Sequence, residues 1–409
     1  MRIFCLTIVC IGVIGNSIST AIAQEDRAAA LKASRERIQT LRKERPNDGL
    51  LIFYEALVGI GLGERNAAFD LLRSLKGRKL GLVPVRDAGF DAVWDDPDFQ
   101  KIRKDFVDEE AKTADSPVAF RLKDPKLVPE GIAYDPAGKR FFIGSIAQHK
   151  IIVSDPKGQA RDFSSASDKL DTVLGLAIDS TRAGLYAVST NGFEDSGKSE
   201  RRNAVVRYDL KTGRLTDRFN VADAMQLNDV AITGDGTVYA TDSASGSLFR
   251  KKPDENAFSK FGETGALRGA NGIAVSDDAS LYVTLSTGIA RVDTTSGAPT
   301  RLPQPDSVVT GGIDGLYWHQ GDLVGVQNGP NPGRVIRIRL TDKGNRIDGL
   351  TVLQSSHHPD FTEPTTGAIA DDVINIIGNS YVGHYEPSGN IRDADKLKGT
   401  AIVAVPLKR

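Results

Sequence analysis

The chain has 409 residues, 40% of them apolar and 26% charged, enough to bury a large core and too apolar for a disordered segment. Its 52 Lys and Arg balance 53 Asp and Glu, and a formal net charge of -1 excludes the basic field that would hold a nucleic-acid backbone or an anionic membrane. The 41 glycines exceed the usual share of about 7% and point to many tight turns between short strands.

Residues 1–23 combine a cationic start at Arg2, an apolar run from Ile3 to Ile18 and the pattern Ala21-Ile22-Ala23, which together read as a secretory leader. A membrane anchor is the competing reading, but Asn16, Ser17 and Ser19 interrupt a run already short of the roughly 20 residues a span needs. Export to the periplasm or the medium is therefore expected, with no membrane span after cleavage. Cys5 and Cys10 both fall in this leader, and Val9 is too bulky for a lipoprotein cleavage site before Cys10. The mature chain then has no thiol, so disulfide support and thiol catalysis are excluded.

Residues 24–106 carry helical periodicity. Leu31, Ser34, Ile38 and Leu41 form a narrow stripe on a helix from Glu25 to Arg45, which Pro46 closes. Asn47 and Asp48 offer caps for a second helix, and Gly63 to Arg65 turns the chain into a third, Ala67 to Leu75. The stretch FYEALVGIGLGERNAAFDLLRSL resembles a tetratricopeptide repeat, with Phe90, Trp94, Asp96, Pro97 and Phe99 as a degenerate end of such an array. That resemblance implies either a peptide-binding surface or a cap docked on the rest of the chain. Residues 107–117 read as a polar linker.

From residue 118 to 409 one pattern repeats six times. The units open at Glu130 (EGIAYD), Leu174 (LGLAID), Asn228 (NDVAIT), Asn271 (NGIAVS), Asp314 (DGLYWH) and Thr366 (TGAIAD). Each opening is followed by a second and a third apolar strand, and in most units by a shorter fourth, at a period of about 45 residues that matches a propeller blade. The sixth unit stops at its third strand, whereas VAFRLK at residues 118–123 supplies one spare strand ahead of the first. A mainly β fold is expected: a six-bladed β-propeller, closed by that spare strand, with a small N-terminal α-helical region. A sandwich would not produce six equal units with one strand permuted across the termini.

In a propeller the innermost strands line the axis, so Glu130, Leu174, Asn228, Asn271, Asp314 and Thr366 are expected to converge on one ring. Four of these, Glu130, Asn228, Asn271 and Asp314, carry hard oxygen donors that suit Ca²⁺, or another divalent cation, better than a soft metal needing Cys or His. The alternatives are turn-forming Asn and Asp, or a wet polar channel. Asp229 and Asp242 are candidates either to support the metal ligands or to build turns. His149, His357 and His358 are candidate proton carriers, or solvent-facing loop residues.

EGIAYD, LND, ANGIAVS and DGLYW, in this order over residues 118–409, resemble the SMP-30, gluconolactonase and regucalcin family, and more distantly paraoxonase and diisopropyl fluorophosphatase. The resemblance implies a six-bladed propeller with axial calcium held by Glu130, Asn271 and Asp314, while Asn228 either joins them or contacts substrate. It implies hydrolysis of a lactone or related ester, with Asp314 activating water, attacking directly, or serving as a ligand only. The insertion Asn191 to Asn203 has no histidine to match the pair associated with paraoxonase chemistry, so aryl ester hydrolysis is not expected. This insertion and residues 379–399 are expected to border the mouth of the channel. The alternative is a non-enzymatic binding propeller with structural calcium, whose helical head docks a protein partner. The strictosidine synthase branch shares the propeller but not this metal set.

Overall fold

The computed structural model describes residues 20–193, 200–329 and 332–408, with side chains from residue 26 onward. The leader expected over residues 1–23, with Cys5 and Cys10, lies mostly outside the described residues, as do positions 194–199 of the Asn191–Asn203 insertion. Among the described residues no helix is long and apolar enough to cross a membrane.

Four α-helices open the chain: α1 Thr20–Glu44, α2 Gly49–Gly61, α3 Arg65–Arg73 and α4 Pro97–Glu109. Asp48 starts α2, its Oδ1 accepting from the N–H groups of Leu50 (3.1 Å) and Leu51 (3.3 Å), two of the donors a helix start leaves unpaired. Pro97 opens α4 behind the Asp96 cap, where its missing N–H costs nothing. That helix ends at Glu109, inside the segment read from sequence as linker. The reason is local: Phe106 is buried in the head, and the Glu109 carboxylate accepts from the backbone N–H groups of Gly77 (2.6 Å) and Lys79 (3.0 Å). The helices close on an aromatic core of Phe53, Phe69, Phe90 and Phe99, which Val309 of the following domain joins.

From Val118 the chain forms six four-stranded antiparallel sheets arranged as a propeller. Blades 1 to 6 have the inner strands Pro129–Asp135, Thr172–Asp179, Leu227–Ile232, Ile273–Val275, Ile313–His319 and Gly367–Ala370. Blade 6 is completed by Val118–Arg121, which pairs with Ala401–Pro406, so the spare strand of the sequence closes the ring and leaves no open edge there. Neighbouring blades meet through side chains rather than strand pairing. Phe142, Val153, Leu185, Val206 and Tyr208 fill the joint between blades 1 and 2, and Val335, Ile374 and Val403 that between blades 5 and 6. Phe142 is fully buried there, edge-on to Phe163 at 4.7 Å. Phe142→Ala is expected to cost about 3–5 kcal/mol, read as a lowered midpoint of urea unfolding.

The head sits on loops at the end of the ring where the inner strands begin. Tyr54 Oη donates to the Ser286 carbonyl (3.5 Å), Arg45 to that of Thr287 (3.4 Å) and Arg78 to that of Asp306 (2.7 Å), while Arg301 of blade 4 lies 3.5 Å from Asp48. Beyond α4, the Thr113 carbonyl accepts from Ser355 N–H (2.6 Å) and Gln354 Nε2 (3.1 Å). The head therefore covers blades 4 and 5 on the face that carries the openings of the inner strands.

Candidate functional site

Five inner strands open with a residue followed by glycine: Glu130-Gly131, Leu174-Gly175, Asn271-Gly272, Asp314-Gly315 and Thr366-Gly367. Crowding at the axis accounts for this. A Cβ on Gly131 would stand 2.0 Å from the Leu174 carbonyl oxygen, and one on Gly272 would stand 2.2 Å from that of Asp314. Register breaks at Pro129/Ile132, Val173/Leu176, Leu227/Val230 and Ile313/Leu316 place bulges at the same level in four blades. A bulge re-aims the side chain it carries, so Glu130, Asn228 and Asp314 sit where the backbone departs from regular alternation.

Asp314 is tied to its neighbours on one side only. Its Oδ2 accepts from Asn328 Nδ2 at 2.6 Å, and the Asn271 side chain is also hydrogen-bonded to it. Oδ1 of Asp314 and Oε2 of Glu130 are buried without any hydrogen-bond partner. Thr365 (3.1 Å) and Thr366 donate their hydroxyls to the Glu130 carbonyl, which fixes the backbone and leaves the carboxylate to other partners. Asn228 Nδ2 donates to Ser243 Oγ (2.8 Å), which donates to the Ala270 carbonyl (2.5 Å) beside Asn271. The amide oxygen of Asn228 takes no part in that chain. Asn271 and Asp314 are thus hydrogen-bonded to each other, Asn228 reaches the Ala270 carbonyl beside Asn271 through Ser243, and Glu130 is linked to Asp314 through charge alone.

Blade 3 breaks the glycine rule with Asp229. Room for it comes from blade 2, where a Cβ on Gly175 would lie 2.3 Å from Asp229 Oδ1. Its Oδ2 accepts from Ile273 N–H (3.2 Å) and its Oδ1 from Val230 N–H (2.8 Å). Burial pushes the Asp229 carboxyl up to about 7, and pushes Asp314 up to about 7 as well, with the Asp229 charge adding to the effect on Asp314. Glu130 is raised well above the usual range, first by burial and then by the charges of Asp314 and Asp229. Two buried carboxylates and the half-buried one of Asp229 therefore repel one another when ionised, and among the described residues no Lys or Arg forms an ion pair with any of them.

Such an arrangement is unfavourable when ionised unless protons or a cation neutralise it. The two bare carboxylate oxygens and the two amides fit a hard divalent ion. Among the described residues no group of three His, Cys, Asp and Glu has metal-binding geometry, so the amides of Asn228 and Asn271 are needed to complete a ligand set.

The remaining candidates separate clearly. Asp242 builds structure: its carboxylate accepts from the N–H groups of Met225 (2.6 Å), Gln226 (3.1 Å), Ala244 (3.1 Å) and Ser245 (3.0 Å). His358 Nδ1 accepts from Asp360 N–H (3.1 Å), and His357 lies 3.9 Å from Glu110, so both serve the loop that meets the head. His149 sits in a left-handed backbone conformation (φ 51°) with Nε2 shielded and unpartnered. In the 379–399 insertion, Val382, Tyr385 and Ile391 pack against the cluster holding Val128 and Ile146 of blade 1.

Two residues escaped the sequence reading. Asn328, at the end of the second strand of blade 5, carries no signal apart from its place one strand away from Asp314. Tyr317 lies within the DGLYW motif. Its hydroxyl accepts from Gly367 N–H (2.6 Å) and sits where a Cβ on Gly315 would be 2.3 Å away. Tyr317 also lines an open pocket of about 350 Å³ together with Ile132, Leu176 and Ile369, and none of the four donors lines it.

A closed six-bladed propeller with converging oxygen donors at its axis defines a class of proteins. The family model for the SMP-30/Gluconolactonase/LRE-like region matches residues 128–352, more than half of the chain, and the chain belongs to that family. No curated protein matches it. Among solved structures, the PQQ-bound aldose sugar dehydrogenase of Streptomyces coelicolor is similar over 71% of this chain and 97% of its own, with 14% identity and a TM-score of 0.50, a likeness of fold alone. A gluconolactonase of Xanthomonas campestris is 17% identical over 70% of this chain and 88% of its own, with a TM-score of 0.47.

Proposed function

We propose that the chain is an exported, calcium-dependent hydrolase of lactones or related esters. The observation that carries this reading is the pair of buried, unpartnered oxygens on Glu130 and Asp314, in a ring of three carboxylates that no Lys or Arg neutralises among the described residues. Membership of the gluconolactonase family supports the reaction class. The leader composition of residues 1–23 supports export.

Glu130, Asn228, Asn271 and Asp314 would hold the ion. When bound, calcium would supply Lewis-acid polarisation of the ester carbonyl and stabilise the charge that builds on its oxygen. Asp314 is suited to take a proton from water, because Asn328 and Asn271 fix the carboxylate while Oδ1 remains free. Glu130 anchors, and Asn228, pinned through Ser243, presents its amide to a ligand or to the ester. Tyr317 closes the floor beneath Asp314.

The test is hydrolysis of a panel of lactones and aliphatic esters by the purified full chain, with calcium, after chelation and after calcium is restored. Turnover should fall at least about 100-fold on chelation and return with the metal. Turnover indifferent to chelation would overturn the mechanism. The helical head gives no support to the alternative of a partner-docking module, because α2 is buried along nearly its whole length from Gly49 to Ile60.

A further inference from the structure

The helical head touches the site through one buried cation. Arg334 opens the third strand of blade 5 and is buried, and its guanidinium meets only neutral acceptors: Nη2 donates to the Leu80 carbonyl of the head (3.2 Å) and Nε to Gln327 Oε1 (2.7 Å). Burial lowers its pKa to about 10, and among the described residues no carboxylate lies within ion-pair distance of it. A buried guanidinium whose nearest named opposite charge, Glu110, acts from beyond ion-pair distance depends on every carbonyl it reaches.

Gln327 faces Arg334 across the hairpin and passes the constraint on in two directions. Its Nε2 donates to the carbonyls of Val309 (3.2 Å) and Gly311 (2.6 Å), the segment that delivers Asp314 to the axis. The next residue, Asn328, donates to Asp314 Oδ2 (2.6 Å) and to the Pro364 carbonyl (3.0 Å). A path of hydrogen bonds and chain neighbours therefore runs from Leu80 through Arg334 and Gln327 to the segment before Asp314 and, through Asn328, to its Oδ2.

We propose that the head is a working part of the site, and that Arg334 and Gln327 are positioning residues that set the Asp314 carboxylate from the Leu80 carbonyl. The inference rests on the reading of Asp314 as the water-facing and metal-facing carboxylate. It does not require the head to bind any partner.

Gly81 supplies the test, because a Cβ there would stand 1.8 Å from Arg334 Nη1. Gly81→Ala therefore disturbs the guanidinium from within the head and touches no propeller residue that faces the axis. Gly63→Ala is the control: its glycine has a similar backbone (φ +81° against +71°) but nothing within 4 Å of the added methyl. In the full chain, Gly81→Ala should weaken calcium affinity by titration calorimetry, lower kcat by about 10-fold with little change in KM, and shift the Asn328 side-chain amide resonances. Gly63→Ala should leave all three unchanged while losing only the thermal stability that an alanine at positive φ costs.

Asn328 resonances and calcium affinity that stay at wild-type values in Gly81→Ala would overturn the inference, as would equal changes in Gly63→Ala. A wild-type chain that binds no calcium would instead overturn the reading of the ring, and the Asn328 resonances would still decide whether the head sets Asp314.

Discussion

Asp314→Asn is expected to lower kcat/KM for lactone hydrolysis between about 100- and 10,000-fold while raising the thermal midpoint of the metal-free chain. Asparagine keeps the shape and can still accept from Asn328, so the bond that fixes this side chain survives. What is lost is the buried charge that, with Asp229 and Glu130, disfavours the ionised state of the ring. Stability and activity move in opposite directions because the site is a local strain the fold tolerates for the sake of its ligand. The same variant decides between the two roles open for this residue. If Asp314 only ligates the ion, saturating calcium should restore most of the rate. If it also takes the proton from water, calcium should restore binding and leave the rate low. Glu130→Gln is the companion measurement, in which excess calcium should recover turnover because Glu130 has no proton to move. Full activity in Asp314→Asn at ordinary calcium would remove Asp314 from the mechanism.

Most of the propeller was legible in the sequence because its repeat is a backbone requirement. Each blade needs an inner strand and a hairpin, and five of the six need a glycine where neighbouring blades touch, as at Glu130-Gly131, Asn271-Gly272 and Asp314-Gly315. Even the closing strand could be read, since one sheet was a strand short and one segment was a strand in excess. The choice of Glu130, Asn228, Asn271 and Asp314 came from the same repeat, since equal positions in equal units are expected to converge. Asp229 was harder, because one carboxylate after an asparagine looks like turn chemistry until the space left by Gly175 is known. Asn328 and Arg334 were beyond reach. Their roles depend on hydrogen bonds across an irregular loop and on a head joined to the propeller by long-range contacts, and neither leaves a period in the sequence. The boundary at α4 shifted because Glu109 caps backbone N–H groups some thirty residues away, which a local polarity pattern cannot show.

The ring also predicts how the site responds to pH. The carboxyls of Asp314 and Asp229 titrate near about 7 in the folded chain without metal, whereas in the unfolded chain they ionise near about 4. For a carboxyl raised by folding, the folded state is favoured while the group is protonated in both states. The stability of the metal-free chain should therefore decline as pH rises from about 4 through about 7, and Glu130, raised well above its ordinary range, extends that decline. A divalent cation competes with those protons, so its affinity should move the other way. It should strengthen about tenfold per pH unit for each proton displaced through this window. The gain in thermal midpoint on adding calcium should accordingly be small at about pH 5 and large at about pH 8. Calorimetric titrations in buffers of different ionisation enthalpy count the displaced protons directly. Release of at least one proton per ion near pH 6 is expected, and it should diminish in Asp314→Asn. An affinity that ignores pH would mean that the cation sits elsewhere and that these carboxylates remain protonated neighbours rather than ligands, because no ion can be held by Glu130 and Asp314 without first displacing what neutralises them.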